Sequence, residues 1–248
     1  MSHKSSHLRL QKRNLKTLPE VPRGRRIRVA YLHENALSGV DSLGAHADTL
    51  TLLYLDFNCV EDLTLIGRFV KLEKLYLNCN RIRIVEGLEC LKSLRELHLR
   101  SQALQEGEQL VFDPRTVRGL QGTLEILDIS KNRITSLAGV KGFQNLTFLD
   151  ASHNELEDFE ETLKHLISFP SLQNLSLNGN PLERSVGRHY TTGILASLHH
   201  LAELGTAPFP ADPGKVLGTS RSGVWRRPQP HLPWTLQMKH ALEELGSD

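Results

Sequence analysis

The sequence predicts an α/β solenoid. About eight 22-residue coils should stack with a parallel concave sheet, a helical or 3-10 convex side and a C-terminal helical cap. Three observations carry this expectation. The pattern L-x-x-L-x-L-x-x-N-x-L recurs along the chain, with its Asn slot at positions 13, 35, 58, 80, 102, 132, 154 and 180. The slots are 22, 23, 22, 22, 30, 22 and 26 residues apart. After position 180 the pattern stops and leucines recur at helical intervals. A fixed period of this length marks coils that cannot bury an apolar face alone and must stack on one another.

The weak first copy, HLRLQKRNL (7–15), puts Arg13 in the slot. The next three, IRVAYLHENAL (27–37), LTLLYLDFNCV (50–60) and LEKLYLNCNRI (72–82), place Asn35, Asn58 and Asn80 there. LRELHLRSQAL (94–104) substitutes Gln102, and LEILDISKNRI (124–134), LTFLDASHNEL (146–156) and LQNLSLNGNPL (172–182) complete the series. In each copy the L-x-L segment predicts a short strand with alternate side chains inward. The slot amide sits where the chain bends and can bond backbone groups left unpaired there. The array is of the leucine-rich repeat kind.

The 30-residue interval holds the segment SQALQEGEQLVFDPRT (101–116), eight residues more than one coil needs. Asp113 followed by Pro114 and Arg115 predicts a helix start, with Asp as the cap and Pro in the first turn, running to about Gly119. Val111 and Phe112 are expected to point inward and anchor it, and Gln102 to serve in place of Asn. Residues 1–180 form the array, with a basic flank over 1–28, and 181–205 the C-terminal cap, whose Leu195, Leu198, Leu201 and Leu204 share a helical spacing. Residues 206–248 are proline-rich and read as a flexible tail. Within the tail, 234–245 spaces Trp234, Met238, Leu242 and Leu245 along one helical face, which suits a docking peptide, a helix folding back, or disorder.

The 248 residues carry a net charge of only +2, but residues 1–28 hold +8 and 29–205 hold −7. Cys59, Cys79 and Cys90 have no metal-ligand spacing and read as reduced thiols of an intracellular protein. The N-terminus has no apolar run of signal-peptide length and no stretch is long enough to span a bilayer, so a cytosolic or cytoskeletal location is expected and no membrane partner. Catalysis is not expected. GVKGFQNL (139–146) lacks the spacing and ending of a phosphate loop, there is no G-x-S-x-G, and the twelve histidines make no metal motif. No cofactor, metal or small-molecule substrate is implied.

The expected site is the concave sheet. Four residues before each slot lie Tyr31, Tyr54, Tyr76, His98, Asp128, Asp150 and Ser176, a column that is aromatic at one end and acidic at the other. Neighbouring positions add Phe57, Lys74, Glu96, Arg100 and Phe148. Exposed aromatics beside charges have the composition of a protein-binding surface. The basic arm Arg23, Arg25, Arg26 and Arg28 opens a second reading, an adaptor of the spliceosomal type that binds nucleic acid, although an acidic protein surface would satisfy the same cluster.

Residues 72–134, and above all the L-x-E-L-H strand, Gln102 in the Asn slot and the L-V-F-D-P-R-T segment with Phe112, Asp113, Pro114 and Arg115, resemble the protein phosphatase 1 regulatory subunit 42 family. The resemblance covers about residues 5–205 and includes Tyr190. It implies binding to the protein phosphatase 1 catalytic subunit and to microtubule-based structures (tubulin, the centrosome) without enzymatic activity. Two features depart from the family: the tail after 205, and the lack of a basic residue followed by Val/Ile, any residue and Phe/Trp, for which RVAY (28–31) is a near miss. Phosphatase binding would then fall to the concave face.

Overall fold

The structure is a computed structural model that describes residues 6–22, 24, 26–187, 189–205 and 225–226. In chain order the strands are β1 (His7–Arg9), β2 (Val29–Tyr31), β3 (Leu52–Tyr54), β4 (Lys74–Tyr76), β5 (Ile84–Val85), β6 (Glu96–His98), β7 (Val111–Phe112), β8 (Ile126–Asp128), β9 (Phe148–Asp150), β10 (Asn174–Ser176), β11 (Glu203–Leu204) and β12 (Trp225–Arg226). The helices are α1 (Pro114–Leu120), α2 (Phe159–Leu166), α3 (Leu182–Val186) and α4 (His189–Ser197). Among the described residues, ten strands form one sheet in the order β1-β2-β3-β4-β6-β8-β9-β10-β11-β12. From β1 to β11 the neighbours run parallel, and the repeat strands keep a common register: Leu53 faces Leu75, Leu75 faces Leu97, and Leu97 faces Leu127. These central leucines are fully buried, while the residues flanking them turn to the concave face. A slip of one residue would turn the leucines out, so burial fixes the register.

The slot side chains sew the coils together. Asn80 donates from Nδ2 to the carbonyls of Leu55 and Leu77, each at 3.0 Å, and accepts from the Val60 amide at 3.0 Å. Asn58 repeats this with Leu32, Leu55 and the Leu37 amide. Each carboxamide thus bonds its own coil and the coil before it, satisfying groups that a sharp bend leaves unpaired. Gln102 does the same, with Nε2 on Leu77 and Leu99 at 2.9 Å and Oε1 on the Ile82 amide at 3.0 Å.

The bend itself is left-handed. Lys12, Glu34, Phe57, Cys79, Ser101, Lys131 and His153 each precede a slot, and their φ values lie between 54° and 60°. Gly179, before Asn180, has φ 73°. For a non-glycine residue this conformation costs about 1–2 kcal/mol. The same residues donate the last cross-coil backbone bonds, such as Cys79 N–H to Arg100 O at 2.8 Å and Phe57 N–H to Asn78 O at 2.8 Å. The turn is held between a backbone bond before it and a slot amide after it.

Coil length decides the convex structure. The 22- and 23-residue coils return through 3-10 segments at Asp41–His46, Ile66–Arg68 and Leu137–Val140, or through turns, joined by β5 in the coil from Asn80 to Gln102. The two longer coils, of 30 and 26 residues, carry α1 and α2. An α-helix rises about 1.5 Å per residue against about 2.0 Å for a 3-10 helix, so it stores the extra residues without lengthening the coil. Asp113 caps α1 by accepting from the amides of Arg115 and Thr116, as the sequence predicts, and Asp158 caps α2 from the Glu161 amide. Helix α1 also lies close to the preceding coil: a Cβ on Gly119 would meet Glu89 Cα at 2.4 Å, so only glycine fits.

Several expectations need correction. Phe112 is buried, but Val111 is 47% exposed, because β7 pairs with β5 and sets Val111 beside the exposed Ile84. Leu195, Leu198, Leu201 and Leu204 are all buried, yet only Leu195 lies in α4; Leu204 lies on β11, which extends the sheet. Within 206–248 the described pair Trp225–Arg226 is a strand antiparallel to β11, and the expected helix at 234–245 lies outside the described residues. So do Arg23 and Arg25, whereas Arg26 and Arg28 are exposed.

Replacing Gln102 by Ala leaves the buried Ile82 amide without its acceptor. The expected cost is about 1–3 kcal/mol in a urea denaturation experiment, whereas a loss under about 0.5 kcal/mol would show that the longer amide bears no part of the turn.

Candidate functional site

The common register sets one residue per coil four positions before each slot into a single row, and adjacent strands lie about 4.8 Å apart. Identical side chains in identical backbone then stack. Tyr31 and Tyr54 have ring centroids 5.1 Å apart at an interplanar angle of 8°. Tyr54 and Tyr76 are 4.4 Å apart at 17°, and Tyr76 and His98 are 4.5 Å apart at 8°. His33 approaches Tyr31 and Tyr54 edge-on. Isolated aromatic pairs favour offset or edge-on contacts, so the strand spacing imposes this near-parallel stack.

Arg9 tops the row, its guanidinium 4.6 Å from the Tyr31 ring centroid. The sequence contained the signal: Arg9 lies four residues before Arg13 in the weak first copy.

A polar network runs beside the stack. Lys74 Nζ lies 2.6 Å from Glu96 Oε1, and the Tyr76 hydroxyl donates to Glu96 Oε2 at 3.2 Å. Burial works to raise the Glu96 carboxyl, but bonds from His98, Lys74 and Tyr76 overcome it and hold the group at about 2. Arg100 is exposed, and its amide donates to Asn78 Oδ1 at 2.8 Å.

Past His98 the row becomes acidic. Asp128 Oδ1 accepts from the Ser130 amide at 2.9 Å and the Ser130 hydroxyl at 2.6 Å. Asp150 accepts from the Ser152 amide at 2.9 Å. Burial, reinforced by the charge of Asp150 on the next strand, raises Asp128 to about 6 against the bonds from Ser130 and the nearby His98.

The structure brings Tyr31, Tyr54, Tyr76, His98, Asp128 and Asp150 into one row, with Lys74, Glu96 and Phe148 beside it on the same face. It corrects their exposure. Tyr54, His98, Asp128 and Phe148 are buried, Tyr54 between the rings of Tyr31 and Tyr76 and His98 between the Tyr76 ring and Asp128, while Tyr31, Tyr76, Lys74, Glu96 and Asp150 are half-buried. Phe57 is 49% exposed but sits at the left-handed turn before Asn58, beyond the strand. Phe112, Asp113, Pro114 and Arg115 lie on β7 and α1, in the inserted part of their coil and off the concave strands.

Asp128 gives the site a pH signature. Its folded-state pKa of about 6 lies above the usual carboxylate value, so the penalty is full at neutral pH and fades as pH falls through 6 towards 4. Asp128→Asn keeps an acceptor for Ser130 and removes the charge. It is expected to raise stability by on the order of 1–2 kcal/mol at pH 7.5 and by almost nothing at pH 4, read from thermal unfolding at both values. An equal gain at both would place the effect in packing, not charge.

Comparison with known proteins matches this geometry. A sequence model of leucine-rich repeats (2 copies) matches residues 123–165. Human lumican is 30% identical over 172 residues, which are 68% of this chain and 42% of lumican. Human leucine-rich repeat-containing protein 43 is 30% identical over 152 residues, 57% of this chain and 22% of that protein. The chain thus spans less than half the length of either relative. Among solved structures, a leucine-rich repeat protein of Leptospira interrogans superposes with a TM-score of 0.62 at 23% identity, over 78% of this chain and 53% of that one. An internalin of Listeria monocytogenes superposes with a TM-score of 0.57 at 19% identity, over 73% of this chain and 48% of that one, and at such identities both establish the fold alone. The repeat that sets every strand, turn and slot described above is the leucine-rich repeat, and the chain has the leucine-rich repeat solenoid fold.

Proposed function

We propose that the chain is a non-catalytic protein-interaction scaffold that binds its partner on the concave sheet. The partner assigned by the regulatory-subunit resemblance is the protein phosphatase 1 catalytic subunit. The cytoplasm and microtubule-based structures, the centrosome and tubulin among them, are the places of action. The observation that supports the reading best is the continuous row from Arg9 through Tyr31, Tyr54, Tyr76 and His98 to Asp128 and Asp150. Tyr and Arg are the residues that dominate binding energy at protein interfaces. A row already locked by stacking loses little side-chain freedom when a partner docks. The phosphatase-docking near miss, RVAY (28–31), cannot act as an extended ligand here, because Val29–Tyr31 is paired on both sides and Ala30 is buried. The concave face is the surface left for that role.

The experiment is titration of the purified phosphatase catalytic subunit and, separately, tubulin onto the immobilised chain. Tyr31→Ala combined with Arg100→Glu is expected to weaken capture about tenfold or more, at a stability cost of no more than about 1–2 kcal/mol. Unchanged capture by this variant would remove the concave face as the interface, and no capture of either protein by the wild type would remove the partner assignment.

A further inference from the structure

The C-terminal part of the concave row holds three polar residues on consecutive repeat strands. Asp128 pairs in register with Asp150, and Asp150 with Ser176. Neither carboxylate forms an ion pair with a Lys or Arg among the described residues. Ser176 is only 4% exposed, and its hydroxyl has no hydrogen-bond partner among the described residues. Leu175 beside it fills the core, so strand alternation aims Ser176 onto the same face as Asp150. A buried carboxylate without a countercharge and a buried hydroxyl without a partner both cost stability. One kind of ligand relieves both, a cation carrying several N–H donors: it neutralises the acids and donates to Ser176 Oγ.

We infer that Asp128, Asp150 and Ser176 form a subsite for the ammonium or guanidinium of a basic side chain on a protein partner. This rests on the concave-face reading above and adds the chemistry of the partner. Half-buried Asp150 is the point of approach, and covered Asp128 adds its field from the next strand. At the other end of the row a guanidinium already lies against a ring, that of Arg9 on Tyr31. Charge favours the same occupant, since residues 29–205 carry a net −7.

The test is fluorescence anisotropy of the full chain with two labelled dodecapeptides at low salt, one of alternating Gly and Arg and one of alternating Gly and Glu. The Arg peptide is expected to bind and the Glu peptide not. Asp128→Asn with Asp150→Asn should weaken binding about tenfold or more, and Ser176→Ala should weaken it severalfold. A control that removes two charges elsewhere, Glu157→Gln with Glu160→Gln, should bind like the wild type. No binding of the Arg peptide, or equal weakening by the control pair, overturns the inference. Binding that emerges only after Arg221, Arg226 and Arg227 are replaced by Ala also overturns it, because the chain's own tail would then be the occupant. Phosphatase capture kept by the Asp128/Asp150 variant but lost by Tyr31→Ala with Arg100→Glu would sink this subsite and leave the concave interface standing.

Discussion

A single carboxamide per coil, from Asn35 to Asn180, carries the architecture. It is inserted behind a left-handed residue and bonded to two successive turns. Without it, each bend would bury carbonyls and amides with no partner, at a cost of about 1–3 kcal/mol apiece, and the left-handed residue would be held by its backbone bond alone. With it, the bend falls at the same place in each coil, the strands start in the same register, and the residues four positions before each slot fall into line. The stacked rings follow from the amides through geometry alone. Tyr31, Tyr54, Tyr76 and His98 lie nearly parallel because Asn35, Asn58, Asn80 and Gln102 repeat one turn.

That rigidity explains how the face can hold groups a softer fold would reject. Glu96 sits half-buried among Lys74, Tyr76 and His98 and stays ionised far into acid. Asp128 and Asp150 lie on neighbouring strands and, among the described residues, accept from the Ser130 and Ser152 amides and the Ser130 hydroxyl without a Lys or Arg paired to them. The two ends of the row therefore differ in kind. The N-terminal end is neutralised from within the chain, and the C-terminal end has no Lys or Arg paired to its carboxylates among the described residues. A gradient of this sort along a stiff surface orients a partner as well as holding it.

Most of the fold was legible because the signal repeats. Eight slots at near-constant spacing declare strands, register and the row of Tyr31, Tyr54, Tyr76 and His98, and Asp113 with Pro114 declares the start of α1. What escaped was local. Glu34, Phe57, Cys79, Ser101, Lys131 and His153 bear no mark of a left-handed turn, and only Gly179 does. Position in the repeat tells which way a side chain points but not how far its neighbours cover it, so Tyr54 and Phe148 looked exposed and are buried. Alternation over two residues cannot say which of Val111 and Phe112 turns inward, since pairing with β5 decides it. The strand at Trp225–Arg226 sits in a proline-rich stretch with no repeat to announce it.

The dependence on the slot amides can be measured directly by native-state hydrogen exchange. The amides of Leu37, Val60, Ile82, Ile134 and Leu156 each donate to a slot side chain. If the slots hold the array, these five should exchange only with global unfolding, as slowly as the sheet amide of Leu77. Fast exchange at these five positions, with Leu77 still protected, would mean that the coils stay stacked without the amides, and would contradict the account.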